Sequence, residues 1–278
     1  MQENKRYRLS LDDNIWFLQD IARKGYDSLF ENAYLAFFRT LHAQYGTKIH
    51  ANLYYECPEH GGFNLSQFPA RYRAEWSAHR DWLRLAFHGR ANKPDFYYLH
   101  AGYDEMYADC ALVLREIRRF AGDTGPVATL HFVDTTEAGI RALYDCGVRA
   151  LMGLFLLTDT GEPSLCYGAS RAFFDQVRRY AFARDPKTGM VYFPCDIVLN
   201  AYTPQEIPHV LDDMAARYPH RPFIDLLIHE QYFYPDYCDY LPDYRERVLA
   251  GVAWCERHGF TPGFAEECEA CQRLLSRR

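Results

Sequence analysis

Two aspartates stand side by side where the first strand-like run of this 278-residue chain ends, at Asp12-Asp13. Further along, His88 closes the apolar run 83–87, His131 falls within the run 127–132, and His229-Glu230 follows the run 223–228. Asp196, inside the run 190–199, is a fifth candidate. Imidazole and carboxylate together suit a divalent ion of the Zn, Fe, Co, Mn or Ni type, and an open coordination position would activate water. Adjacent residues at a strand exit point in different directions. One carboxylate of the pair can therefore hold the metal while the other accepts a proton. Asp13-Asn14 taken alone reads as a turn that caps a helix; taken with the histidines it reads as a site. His229 emerges from Leu226-Leu227-Ile228. It has the chemistry of a general acid, with Glu230 or another carboxylate fixing its tautomer, or that of a histidine hydrogen-bonded at a rim.

The elements that must carry these groups alternate from end to end. Strands are expected within 7–17 and at 48–56, 83–88, 127–132, 148–156, 190–199, 223–228 and 260–264. Helices are expected at 28–45, near 69–79, and at 104–120, 137–146, 170–180, 203–218 and 245–258, from apolar residues recurring at three- and four-residue spacing. Thr135 or Thr136 can cap the helix that Gly147 stops. Such alternation implies a single α/β domain over 1–278, either a barrel or a doubly wound sheet. In both, chemistry gathers at the carboxyl ends of the strands. Four strand ends bearing histidine or carboxylate would then meet on one rim.

Composition narrows the class. Hydrophobic residues make up 49% and charged residues 24%, which excludes a disordered chain. A net charge of −6 without a basic stripe makes nucleic acid a poor partner. No apolar run approaches the length of a membrane span, so no membrane partner is expected. The N-terminal residues show no signal-peptide core, which implies a cytoplasmic protein. Nine cysteines, an odd number scattered through apparent helices and strands, fit reduced thiols better than a disulfide framework. Aromatics are unusually abundant, with 22 Tyr and 19 Phe. Tyrosine serves both as core and as the wall of a sugar cleft.

Three short motifs, in order, resemble those of the polysaccharide deacetylases, the NodB-homology family also called carbohydrate esterase family 4. Ser10-Leu11-Asp12-Asp13 is similar to that family's T-F-D-D, and Leu227-Ile228-His229 to its late L-x-H. Phe87-His88 lies on the third strand, where the family places its metal-binding histidines. The resemblance covers about residues 6–265 and implies a distorted (β/α)7 barrel of the glycoside hydrolase and deacetylase type. It implies Asp12 as catalytic base, Asp13 and His88 as metal ligands and His229 as general acid. The reaction implied is hydrolysis of the amide C–N bond of an N-acetylated saccharide, with a divalent metal, zinc first and Ni, Co, Mn or Fe as alternatives.

Two departures stand out. The family's H-x3-H becomes His88-Gly-Arg-Ala-Asn92, and asparagine is a weak ligand for zinc-like ions. His131 is the first choice for the third ligand and His100 the second. The family's R-x-P-Y is replaced by Phe132-Val133-Asp134-Thr135. Tyr54, Tyr55, Tyr97, Tyr98, Tyr232, Phe233, Tyr234 and Tyr237 stand near expected strand ends, where they can stack on sugar rings or pack the rim. Arg90, His100 and Asp196 complete the substrate-binding candidates. The primary expectation is a cytoplasmic metal-dependent hydrolase of a saccharide or a surface-polysaccharide precursor. The alternatives are a catalytically degraded barrel that binds a saccharide or partner protein, and a glycosidase using two of Asp12, Asp13, Asp196 and Glu230.

Overall fold

The computed structural model describes residues 5–92 and 97–276; residues 1–4, part of the N-terminal reading, lie outside them. Parallel strands follow one another around a ring: β1 (Arg6–Asn14), β2 (Ile49–Tyr54), β3 (Leu83–Gly89), β4 (Val127–Thr129), β5 (Ala150–Gly153), β6 (Val191–Pro194) with its short continuation β7 (Ile197–Val198), and β8 (Phe223–His229). Hydrogen bonds join them in the order β7-β8-β1-β2-β3, and a second parallel ladder joins β4-β5-β6. β3 packs beside β4 without sharing a ladder with it, and residues 195–196 carry the chain from β6 into β7. The result is the expected distorted α/β ring of seven strand positions, with no closed hydrogen-bonded barrel among the described residues.

The outer layer consists of helices laid between consecutive strands. α1 (Trp16–Lys24) and α2 (Ala33–Tyr45) follow β1, α3 (Arg73–Ala78) follows β2, and α4 (Tyr103–Phe120) follows β3. α5 (Glu137–Asp145), α6 (Arg171–Tyr180), α7 (Glu206–Arg217) and α8 (Tyr244–Arg257) complete the layer. α4 shows why these segments are helical. Met106, Cys110, Val113, Ile117 and Phe120 recur every three or four residues and all are buried, while Asp104 and Glu105 sit in its first turn and Arg118 and Arg119 in its last. α9 (Glu269–Leu275) buries Cys271, and Cys268 just before it is buried too, so the C-terminal cysteine pair is core.

Inside the ring the strands present polar residues. Tyr7, Leu9 and Leu11 occupy one face of β1; Arg8, Ser10 and Asp12 occupy the other, and all six are buried. Arg8 stands opposite Asp225 of β8 and forms a fully buried ion pair with it. It also contacts His50 Nδ1 on β2 at 2.7 Å and lies 4.8 Å over the Phe193 ring of β6. Contacts from three strands place Arg8 in the interior. Two residues higher, Ser10 stands opposite His50 and Leu227; two higher again, Asp12 stands opposite His229. A polar column thus runs up the ring and ends at the rim.

Two expectations change here. The strand expected at 127–132 ends at Thr129, and a 3-10 turn, His131–Val133, takes over with Phe132 and Val133 in left-handed conformation. The strand expected at 190–199 breaks at 195–196. The break seats Asp196 beside Asp225, whose N–H donates to Asp196 Oδ2 at 2.9 Å, and Asp196 forms a fully buried ion pair with Arg221. Asp225 precedes His229 by four residues, roughly 13 Å along a strand. Asp196 therefore belongs to the lower core, not to a substrate cleft. Removing one member of a buried ion pair leaves the other uncompensated. Asp196→Ala is expected to lower unfolding free energy by about 3–5 kcal/mol, measured by urea denaturation. Unchanged stability would refute this structural role.

Candidate metal centre

The rim is built by two irregularities on either side of β2. Between Leu11 and Asn14 the pairing of β1 with β2 slips by one residue, so β1 carries an extra one. Asp13 lies in that bulge with φ +61°, a left-handed conformation that aspartate tolerates better than most side chains. On the other flank the β2–β3 register slips between Phe87 and Gly89, with His88 as the extra residue. Bulges re-aim side chains, and these two bring Asp13 and His88 together across the end of β2. Asn14 stabilises the first bulge. Its side-chain amide donates to the Leu11 carbonyl at 2.6 Å and to the Asn52 carbonyl at 3.1 Å. Gln231 donates to the Asp13 carbonyl at 3.2 Å.

Asp13 Oδ1 lies 2.9 Å from His88 Nε2 and 3.5 Å from His131 Nδ1. These three side chains form the metal-ligand cluster found among the described residues, with His88 and His131 buried and Asp13 half-buried. A zinc-like ion with bonds of about 2.1 Å needs donors roughly 3–3.5 Å apart, so the spacing fits. The chemistry of the donors fits as well. His88 Nδ1 lies 2.6 Å from the Thr129 carbonyl, which can only accept, so Nδ1 carries a proton. In neutral His88 the Nε2 lone pair then faces a carboxylate oxygen, an arrangement that calls for a cation or a proton between them. A backbone carbonyl accepting from the remote imidazole nitrogen is the usual device for fixing a metal-binding histidine in one tautomer.

Tyr54, at the end of β2, completes the cluster. Its hydroxyl donates to Asp13 Oδ1 at 2.5 Å and lies 2.6 Å from His131 Nδ1. Of the two roles open to it, stacking on a sugar or packing the rim, Tyr54 takes the second: it is buried and bridges two of the three donors. Strand parity could have found it: Tyr54 shares the inward face of β2 with His50 and Asn52.

Asp12 and His229 lie opposite each other on β1 and β8. The Asp12 carboxylate accepts from Asn52 Nδ2 at 2.7 Å and Ser10 Oγ at 3.1 Å. His229 Nδ1 lies 2.9 Å from Asn200 Oδ1, an acceptor, so Asn200 fixes the tautomer that was expected to depend on Glu230. Glu230 does other work. Its carboxylate accepts the N–H groups of Ile15, Trp16 and Phe17 at 2.6, 3.0 and 2.6 Å and the Tyr234 hydroxyl at 2.9 Å. It is the N-terminal cap of α1, and burial pushes its carboxyl up to about 7 despite these donors. Its catalytic assignment is corrected on that ground, because its oxygens are committed to the helix.

The substrate-binding candidates divide. Tyr232 stays at the rim, its ring 6.1 Å from His229, and continues edge-on through Tyr237 to Trp16, which stacks on His60 at 4.0 Å. Tyr55 is half-buried under the Arg90 guanidinium. Arg90 itself is held by Glu56 at 3.0 Å and Asp109 at 3.5 Å. Tyr98 is buried, donates to Asp109 Oδ2 at 3.0 Å and accepts from the Arg90 N–H at 2.8 Å, so it packs the loop and is no sugar platform. His100 is exposed on the turn Tyr97–His100 and lies outside the donor cluster, and Asn92 is exposed as well.

No protein-family model and no curated protein matches the chain. Solved structures do. A family 4 acetyl xylan esterase from Clostridium thermocellum, in complex with a cobalt ion, superposes with a TM-score of 0.52 at 10% identity over 97% of this chain and 92% of its own. A proposed polysaccharide deacetylase from Mycobacterium smegmatis gives 0.54 at 12% identity over 98% and 92%. The chain has a divergent polysaccharide-deacetylase fold. A 4-alpha-glucanotransferase from Thermococcus litoralis gives 0.62 at 11% identity over 97% of this chain, which spans only 40% of that larger protein. The deacetylase-like ring is thus shared with a glucan-transferring enzyme. Among the described residues, no helix is long and apolar enough to cross a membrane.

Electrostatics within the cluster predict its pH behaviour. Burial opposes charge on both Asp13 and His88, yet their mutual contact, with His131 beside Asp13, prevails. Asp13 is held well below the usual carboxylate range, and His88 is raised above 6.5. His88 protonation therefore stabilises the metal-free protein fully below about pH 6.5, a contribution lost as pH rises through the raised value. Metal uptake must expel that proton. Zinc affinity, measured by chelator competition, is expected to fall by up to about tenfold per pH unit below the His88 value. A flat profile from roughly pH 5.5 to 8 would remove His88 from the ligand set. For Glu230→Ala, three backbone N–H groups, two of them fully buried, lose their acceptor, and calorimetry should show a loss of about 3 kcal/mol or more. Metal stoichiometry should stay intact in that variant.

Proposed function

We propose that the protein is a metal-dependent hydrolase that removes an acetyl group from an N-acetylated saccharide. One observation carries this reading. Asp13, His88 and His131 converge into a ligand triad at the strand ends, beside Asp12 and His229. A divalent cation held by the triad would polarise the acyl carbonyl and make water a competent nucleophile near neutral pH. Zinc leads by ligand type, and the cobalt-containing esterase supports a site tolerant of neighbouring metals. In this assignment Asp12 is the proton acceptor, oriented by Ser10 and Asn52 so that one oxygen is anchored. His229, its Nδ1 turned to Asn200, presents Nε2 to protonate the departing amine. The half-buried Tyr232 ring beside His229 suits the apolar face of a pyranose.

The likeness to a glucanotransferase makes glycosidic chemistry the second reading. That chemistry needs two carboxylates flanking a scissile bond. Of the four candidates, Glu230 caps α1, Asp196 pairs with Arg221 and Asp13 faces two histidines. Only Asp12 remains, which favours the deacetylase.

Metal analysis and acetate release from a panel of N-acetyl sugars test the proposal together. Wild type should bind about one divalent ion, lost in Asp13→Asn and His88→Ala. Asp12→Asn should keep the metal and lose about 10²–10⁴ in turnover. Metal retained in both ligand variants, or release of reducing ends without acetate, would overturn the assignment.

A further inference from the structure

Away from the triad, a cavity of about 760 Å³ opens between the start of α5, the start of α6 and the turn 185–188. Its volume is in the range of small-molecule sites, roughly 300–1,000 Å³. It neighbours the metal centre through shared loops. Thr135, four residues after His131, is on its wall, as is Tyr167, whose hydroxyl donates to the Met152 carbonyl of β5 at 2.7 Å. Two more aromatic rings join Tyr167 on the wall: Phe173 stands edge-on to Tyr192, centroids 5.6 Å apart at 89°.

The charged groups that line the cavity are engaged within the protein. Lys187 Nζ is ion-paired with Glu137 across the mouth. Asp185 accepts from the Lys187 N–H at 3.1 Å, the Thr188 N–H at 3.2 Å and the Thr188 hydroxyl at 2.6 Å. Among the described lining residues no unpaired cation is left for a phosphate or carboxylate, and both oxygens of Asp185 are turned to donors of its own loop. What remains is aromatic faces with neutral polar groups, Gln176 and Ser170 among them. Uncharged ligands with apolar faces and many hydroxyls match that lining.

We propose that this cavity binds a neutral saccharide unit at a distance from the metal triad, so that an oligosaccharide engages the protein at both places. The proposal deepens the deacetylase reading and rests on it for the choice of ligand. The test uses EDTA-treated full-length protein, which binds without turnover. N-acetylchitotetraose, xylotetraose and maltotetraose are titrated by calorimetry, with amide chemical shifts locating the contact. At least one tetrasaccharide is expected to bind wild type and to shift the amides of Phe173, Gln176 and Thr188. Phe173→Ala is expected to weaken binding about tenfold, as for a buried aromatic anchor. The exposed Gln176→Ala, whose folding is not in question, is expected to weaken it several-fold.

No binding of the three probes to wild type overturns the proposal. So do shifts confined to the surroundings of His88, His131 and His229, or full affinity in both variants. The two readings fail separately. Acetate release by the metal-loaded protein with full tetrasaccharide affinity in both variants overturns this inference alone. Tetrasaccharide binding at Phe173 without any acetate release overturns the hydrolase reading alone.

Discussion

A strand ladder gives each residue a fixed side, and the candidate metal centre exists because that rule is broken twice around β2. In regular pairing Asp13 would point away from Asp12, towards the helical layer where Leu9 and Leu11 are buried. The one-residue bulge in β1 and the left-handed backbone at Asp13 release it from that side. The matching bulge at His88 does the same on β3. β2, held between them, supplies Tyr54 to bridge Asp13 and His131. A positive φ at a non-glycine residue costs on the order of 1–3 kcal/mol. Here the Asn14 amide offsets it by satisfying carbonyls that the bulge strips from the ladder.

The same rim shows how a second carboxylate is spared from chemistry. Glu230 stands next to His229 in sequence, yet it turns to the first turn of α1. Ile15 heads that helix and offers no capping side chain, so the exposed end of the helix dipole is neutralised by a residue 215 positions away. The cap ties β1, α1 and β8 into one unit. Asp12 and His229, on neighbouring strands of that unit, are thereby held in register.

These two features mark the limit of what a linear reading could reach. The strand–helix alternation and the candidate donors Asp13, His88 and His131 are legible, because periodicity and residue type are local signals; the choice of a ring over an open sheet comes from the motif resemblance alone. α1 was absent from the element assignment because its cap lies in another part of the chain. Asp196 was misplaced for a related reason: a break of two residues moves a side chain from rim to lower core, and only the partner Arg221 reveals it. Tyr98 read as a rim aromatic until Asp109, on α4, was seen to hold it. In each case a long-range partner decided the role, and such partners carry no sequence spacing.

The position of His131 beside Asp13 and His88 has a structural logic of its own. In the resembled pattern both histidines come from one strand end, whereas here position 92 holds asparagine and is exposed. A donor drawn from the end of β4 instead of β3 must cross the β3–β4 junction, where the two neighbouring strands share no ladder among the described residues. The 3-10 turn at His131–Val133, with two left-handed residues, brings the imidazole over that gap. The β3–β4 seam is also bridged from below, by the His88–Thr129 contact. The triad therefore joins strands that the ladder leaves unjoined. A cation held by these three donors would span the same seam that the His88–Thr129 contact bridges from below.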